Sequence, residues 1–73
     1  MSIIFDLTVE MAKKKLRSKE LADAIGMTEQ NLSIIKTGKA KAIRLTTLDA
    51  LCEALHCQPS DIIRYVPNKV IEN

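Results

Sequence analysis

Apolar residues recur at helical spacing in the middle of the chain, in two short stripes separated by a glycine. The stripes are Leu21, Ala22 and Ile25, followed by Leu32 and Ile35. Residues three and four apart share one face of a helix, so each stripe predicts an amphipathic helix. Gly26 and Gly38 lie where helices can end in left-handed backbone. The pattern therefore predicts a helix at about 18–25, a tight turn, and a second helix that ends by residue 37.

The flanking sequence predicts three more helices and two short strands. The helices are expected at about 7–15, 46–55 and 59–64, and the strand segments at about 2–5 and 63–67. The first helix is expected to turn four residues inward, namely Leu7, Val9, Met11 and Ala12. The 46–55 helix is expected to extend a core stripe of Leu45, Leu48, Leu51, Cys52 and Leu55. The expected fold is all-α: five helices in one domain, 1–73, whose terminal strands form a two-stranded sheet.

Several residues mark the expected helix ends. The candidate N-caps, which accept hydrogen bonds from the first free amides, are Asp6, Ser18, Thr28 and Thr46. His56 is placed to end its helix in left-handed backbone, which histidine tolerates better than most residues. Pro59 is expected as the first residue of the last helix, where its missing N–H costs nothing.

The composition agrees with a small helical domain. At 73 residues, with 47% hydrophobic residues and 3% aromatics, the chain fits a bundle rich in leucine, isoleucine and alanine. No segment approaches the roughly 20 apolar residues of a membrane span. The N-terminus also lacks the basic stretch and apolar run of a signal peptide. We therefore expect a soluble, cytoplasmic protein without membrane association.

The charge is unevenly distributed, although its net value is only +2. Residues 11–44 contain nine basic and three acidic residues, which leaves +6, whereas the rest contains two basic and six acidic residues, which leaves −4. A solvated lysine-rich face would account for a basic run by itself. Here the positive sign follows the predicted pair of helices, as expected for a protein that binds duplex DNA.

The second helix of the pair has a polar outer face if Leu32 and Ile35 point inward. That face would present Glu29, Gln30, Ser33, Ile34 and Thr37, with Asn31 at its edge. Hydrogen-bonding side chains on one helix face can read base edges in the major groove, where each base pair presents a different pattern of donors and acceptors.

Residues 20–39, ELADAIGMTEQNLSIIKTGK, resemble the helix-turn-helix of the lambda-repressor, Cro and XRE-like family. The residues at the expected spacings are Ala22, Gly26, Leu32 and Gly38. Residues 36–66 also resemble a group of very small XRE-like regulators. The resemblance implies a sequence-specific transcriptional regulator, with repression by blocking a promoter as the expected mode.

The resemblance also implies roles for individual residues. Base reading is expected of Glu29, Gln30, Ser33, Ile34 and Thr37. Contact with the DNA backbone is expected of Ser18, Lys19, Thr28, Asn31, Lys36, Lys39, Lys41 and Arg44. The expected partner is double-stranded DNA with a two-fold symmetric operator, and neither a cofactor nor a small-molecule ligand is expected.

Three positions depart from the family pattern. Ser18 replaces a glutamine that in many relatives bridges to a phosphate and to the next helix, and a serine is too short to bridge. Glu29 replaces glutamine or serine, and either accepts a hydrogen bond from a cytosine amino group or serves as a partner for the helix dipole. Ile34 points outward, where it either contacts a thymine methyl group or is an ordinary exposed isoleucine.

A two-fold operator needs two recognition helices about 34 Å apart, so we expect a homodimer. The candidate interface residues are Ile3, Phe5, Ile63 and Tyr65. Each pair is spaced two residues apart and would project from one face of a strand. Small relatives in the resembled family dimerise through such a terminal sheet. The alternative is that these side chains cap the core of a monomer.

Chemistry other than nucleic-acid binding has little support. Cys52, His56 and Cys57 do not converge as zinc ligands, since Cys57 would lie about 140° around a helix from Cys52. Reduced, buried structural cysteines and no metal are therefore expected. One histidine, without a phosphate loop or a paired carboxylate, leaves no basis for an enzyme. The alternative function is a helix-turn-helix that binds protein, such as an antitoxin that grips its toxin.

Overall fold

A computed structural model describes residues 3–67 as five helices and a small sheet, and it confirms the predicted fold class. The elements in chain order are β1 (Ile3–Phe5), α1 (Leu7–Lys14), α2 (Ser18–Ile25), α3 (Glu29–Lys36), α4 (Leu45–Leu55), α5 (Pro59–Ile62) and β2 (Ile63–Tyr65). The predicted strand residue Ser2 lies outside the described residues. Within residues 3–67, no helix combines the length and the apolar character needed to cross a membrane.

Four helices end in the same way, at a residue in left-handed backbone. These residues are Lys15, Gly26, Gly38 and His56, with φ values of 57°, 73°, 77° and 52°. The amide of the next residue donates to the carbonyl five residues earlier, in the pairs Leu16–Met11 (3.0 Å), Met27–Ala22 (2.9 Å), Lys39–Ile34 (3.0 Å) and Cys57–Cys52 (3.1 Å). This hydrogen bond defines the Schellman helix end and satisfies a carbonyl that the helix leaves unpaired. The left-handed backbone predicted at His56 is confirmed.

The core is formed by one face of each helix. Its buried hydrophobic residues are Leu7, Met11, Leu21, Ala22, Leu32, Ile35, Leu51, Leu55 and Ile62. The inward positions predicted for α2 and α3 are confirmed. Leu16, Met27 and Cys57 each follow a left-handed residue, are half-buried and pack against this core. The helix ends therefore turn the chain back onto the core.

Two predictions about the core were wrong. Leu45 is 81% exposed. It lies in the first turn of α4, about 120° around the helix from Leu51, at the edge of the buried stripe. Val9 and Ala12 in α1 are also exposed. Val9 is about 200° around the helix from both Leu7 and Met11, so it faces solvent.

Two predicted N-caps were wrong as well. Arg17, not Ser18, precedes α2, and its amide donates to Glu20 Oε1 at 2.8 Å. The helix α4 begins at Leu45 with Arg44 as its N-cap, so Thr46 lies inside the helix. In both cases an arginine, which has no side-chain acceptor, occupies the N-cap position in extended backbone, and at α2 the Glu20 carboxylate accepts from the N-cap amide. Pro59 begins α5 as predicted.

The terminal sheet joins the two ends of the described chain. Strands β1 and β2 pair antiparallel, with Ile3 opposite Tyr65 and Phe5 opposite Ile63. Phe5 and Ile63 are half-buried and pack against the core. Ile3 and Tyr65, farther along the same face, are 43% and 66% exposed.

An ion pair supports the sheet where β1 leads into α1. The Asp6 amide donates to the Ile62 carbonyl at 2.6 Å, and Arg64 Nε donates to the Asp6 carboxylate. This hydrogen bond and the charge of Asp6 both raise the pKa of Arg64. Asp6 is the N-cap of α1 as predicted, but its side chain makes no capping hydrogen bond and binds Arg64 instead.

Candidate nucleic-acid interface

The turn between α2 and α3 fixes the start of the candidate recognition helix. After Gly26, the half-buried Met27 packs on the core, and Thr28 then caps α3. The Thr28 hydroxyl oxygen accepts a hydrogen bond from the backbone N–H of Asn31 at 3.1 Å, so Thr28 caps α3 as predicted. The cap also leaves the proton of this hydroxyl available for a second partner, such as a phosphate oxygen.

All the residues expected to read bases lie on the exposed side of α3 or at its end. They are Glu29, Gln30, Ser33, Ile34 and Thr37. Ile34 is 47% exposed among these polar side chains. The hydroxyl proton of Thr37 is already used within the protein, because it donates to the Ser33 carbonyl at 2.9 Å. Thr37 therefore offers its oxygen lone pairs and methyl group to a base, but not its proton.

The loop after Gly38 brings three cations to the side of α3. A cleft of about 500 Å³ between α3 and this loop is lined in part by Asn31, Ile34, Lys39, Lys41 and Arg44. The three cations are exposed, and none of them pairs with a carboxylate within residues 3–67. Their charge is therefore available to an external anion, next to the exposed face of α3.

The N-terminal end of α2 lies against the C-terminal end of α3. Lys36 Nζ donates to Ser18 Oγ at 2.5 Å, and both side chains are half-buried. Ser18 therefore contacts the next helix despite its short side chain, because the lysine supplies the length that the serine lacks. Sequence reasoning missed this contact, although Lys36 follows the buried Leu32 by four residues and so lies on the inward side of α3.

Some of the basic residues are already paired within the protein. Lys13 Nζ lies 3.3 Å from Glu10 Oε2, and Glu10 itself is only 5% exposed. Lys19 forms an exposed ion pair with Asp23 at 3.7 Å. Fewer cations are therefore available to a partner than residue counts along the chain indicate. The loop after α3 is one place where available cations are concentrated.

The two cysteines lie close to each other. They line a cleft of about 340 Å³ with Leu45, Leu48 and Pro59. The helical angle expected between them does not apply, because α4 ends at Leu55 and the left-handed His56 turns Cys57 back toward Cys52. Both thiols are free and half-buried rather than buried. Burial, and after it the neighbouring Cys52, raises the pKa of Cys57 to about 11.

Within residues 3–67, no three histidine, cysteine or acidic side chains are grouped to hold a metal ion. A thiol with a raised pKa is also a weaker metal ligand and nucleophile at neutral pH, since the thiolate is the reactive form.

Comparison with known proteins gives two matches. Residues 6–68 match the model of the Cro/C1-type HTH DNA-binding domain. The chain is also similar to YozG of Bacillus subtilis (strain 168), described as an uncharacterized HTH-type transcriptional regulator. The two are 55% identical over 65 residues, which cover 89% of this chain and 77% of that protein.

Proposed function

The chain belongs to the Cro/C1-type helix-turn-helix DNA-binding family of transcriptional regulators, and we propose that it binds a specific operator as a homodimer and represses transcription. One observation carries the proposal: the exposed polar face of α3 lies beside three exposed cations of the following loop, which pair with no carboxylate among residues 3–67. The polar face can make hydrogen bonds that differ from base to base. The cations attract phosphates, and this attraction is the same for every DNA sequence. Repression would follow from occupation of the promoter.

Gln30 is proposed as the principal base reader. It is exposed in the first turn of α3, and its amide can donate to and accept from adenine at the same time. Ser33 and Ile34 lie one turn farther along the helix, where Ile34 can contact a thymine methyl group. Glu29 stands at the N-terminal end of α3, where it either reads cytosine or balances the helix dipole.

Gln30→Ala tests base reading on a site selected from random duplex DNA. We expect affinity for the selected site to fall by about 1–3 kcal/mol, with little change on unrelated DNA. Gln58→Ala is the matched control, because it removes the same exposed amide from the start of α5. Equal losses on both DNAs would show that Gln30 does not read sequence.

Glu29→Gln separates the two roles of Glu29. If the carboxylate accepts from a cytosine amino group, the preferred base at one operator position changes. If it only balances the helix dipole, affinity rises slightly on every sequence because repulsion from phosphates is lost. Selection of bound sequences with the variant distinguishes the two results.

Lys39, Lys41 and Arg44 are proposed as phosphate contacts. Neutralising one of them should weaken binding to all sequences alike and flatten the slope of log affinity against log salt by about one unit. An unchanged slope for the double variant Lys39→Met, Lys41→Met would mean that this loop is only solvated. Lys19, Thr28 and Asn31 are proposed as further contacts along the DNA backbone.

The homodimer is proposed to form through the terminal sheet. Ile3 and Tyr65 support this, because they are large, exposed and directly opposite each other across the two strands. A two-stranded sheet is marginal alone, and pairing with a second copy would extend it. Phe5 and Ile63 would support the interface from beneath.

Ile3→Glu with Tyr65→Glu tests the dimer without disturbing the core, since both side chains are exposed. We expect a folded monomer in sedimentation that binds a two-fold site more weakly than the unmutated protein does, and no more tightly than it binds a single half-site. If the unmutated protein is a monomer at tens of micromolar and gives no two-fold footprint on DNA, the dimer is wrong.

A further inference from the structure

Among residues 3–67, two side chain–side chain hydrogen bonds join residues far apart in the sequence. One is the Asp6–Arg64 pair beside the sheet. The other joins Lys36, the last residue of α3, to Ser18, the first residue of α2. This second bond lies inside the helix-turn-helix itself. It links the two helices at the side opposite the turn through Gly26.

Lys36 lies where three elements meet. It lines a cleft of about 370 Å³ together with Ile3 and Phe5 of β1 and with Gly38. The side chain is half-buried, in contrast to the exposed Lys39 and Lys41. Its long apolar stem can cover the apolar surface of this junction while its ammonium group reaches Ser18.

The Ser18 hydroxyl is the partner that the structure gives to the Lys36 charge. Within residues 3–67, no carboxylate lies within 4.0 Å of Lys36 Nζ. The N-terminal end of a helix carries a partial positive charge, which disfavours an ammonium group beside it. The short bond to Ser18 Oγ offsets this, because hydrogen bonds with a charged donor are stronger than neutral ones.

We propose that Lys36 is a positioning residue that holds the C-terminal end of α3 against the start of α2, and does not neutralise a DNA phosphate. By fixing both ends of α3, the turn at Gly26 and the Ser18–Lys36 bond together set the angle at which Gln30 and Ser33 face DNA. This inference rests on the proposed function. It replaces the expectation that Lys36 acts in the same way as Lys39.

The two roles predict different responses to salt. Lys36→Met and Lys39→Met remove the same charge from adjacent parts of the chain, so they form a matched pair. Affinity is measured for both on the selected site and on unrelated DNA over a series of salt concentrations. Lys39→Met should flatten the salt slope by about one unit and weaken both DNAs equally. Lys36→Met should leave the slope unchanged and reduce the preference for the selected site about tenfold.

Variants of Ser18, the hydrogen-bond partner of Lys36, provide a second test. Ser18→Ala should lose the same preference as Lys36→Met, and the double variant should lose no more than either single one. Ser18→Thr keeps the hydroxyl and should restore the preference. Loss of general stability would not give this result, so thermal unfolding is followed for each variant, and binding is measured well below its midpoint.

Three outcomes would overturn the inference. They are a one-unit change in salt slope for Lys36→Met, additive losses in the double variant, and failure of Ser18→Thr to restore the preference. If Lys36→Met does not fold, the serine variants alone decide, through the preference and its restoration. The proposed function fails instead if neither the unmutated protein nor any variant prefers a DNA sequence and if Lys39→Met leaves the salt slope of binding unchanged.

Discussion

The turn after α2 and the loop after α3 begin with the same backbone and then diverge. Gly26 and Gly38 have nearly equal φ values, 73° and 77°, and the residue after each donates the same hydrogen bond to the carbonyl five residues earlier. After Gly26 comes Met27, which packs on the core, and α3 begins two residues later. After Gly38 comes Lys39, which is exposed, and no helix resumes until Leu45.

The residue after the left-handed one differs in character between the four helix ends. Leu16, Met27 and Cys57 follow the other three such residues, and each returns the chain to the core. An apolar side chain at this position commonly packs against the end of the helix that it follows. A lysine there is better placed in water. Lys39, Lys41 and Arg44 are exposed at the side of α3, whereas Ala40 and Ile43 of the same loop pack against the core. The same left-handed helix end is therefore followed by a packed residue at three positions, and by an exposed lysine of the candidate DNA interface at the fourth.

Exchanging the side-chain types at these two positions gives the largest expected effect. Met27→Lys removes a packed apolar side chain, and we expect the free energy of unfolding to fall by about 1–3 kcal/mol. Lys39→Met changes an exposed side chain and should alter stability by less than about 0.5 kcal/mol. Urea unfolding at neutral pH measures both. Similar losses would mean that the two positions do not differ as the structure indicates.

The glycines themselves should respond alike. Nothing lies within 4 Å of a Cβ built at either glycine, so Gly26→Ala and Gly38→Ala meet no steric obstacle. Each should still cost about 1–2 kcal/mol, because an L-residue is strained in left-handed backbone. His56 already bears that strain, so His56→Gly should stabilise the protein by up to about 1 kcal/mol. A loss on His56→Gly would show that its side chain has a structural role.

The smallest effect near neutral pH is expected from the titration of Cys57, and this effect grows as the pH rises. Burial raises the pKa of this thiol from 9.0 to about 11, so folding favours the protonated form. The resulting stability is fully present below pH 9.0 and is lost as the pH rises towards 11. Unfolding free energy should therefore fall more steeply over this range in the unmutated protein than in Cys57→Ala. Parallel curves for the two proteins would contradict the raised pKa.

The elements of the fold were predictable because their signals are local. The stripe of Leu32 and Ile35, the cap at Thr28 and the left-handed ends at Gly26 and His56 each follow from a few neighbouring residues. The exposure of Leu45 was not predictable in this way. It depends on how far the core reaches along α4, which is decided by the packing of other helices.

The candidate site was predicted to a similar depth. The exposed face of α3 follows from knowing which residues point inward, so its members could be named in advance. The pairing of charges could not be. Lys36 contacts a residue eighteen positions away, a pairing that no local spacing indicates. Counting charges along the chain treats all lysines alike, and the structure does not.

The pairing of β1 with β2 also bears on the order in which the chain folds. Ile3 and Tyr65 come together across nearly the whole described chain, whereas the helix ends close over five residues. Joining distant residues costs more chain entropy before any contact repays it. The helices can therefore assemble first, and the sheet closes last. In the native state the sheet is also expected to open more readily than the core, so a surface proposed to bind a second copy lies in the part of the fold that is completed last.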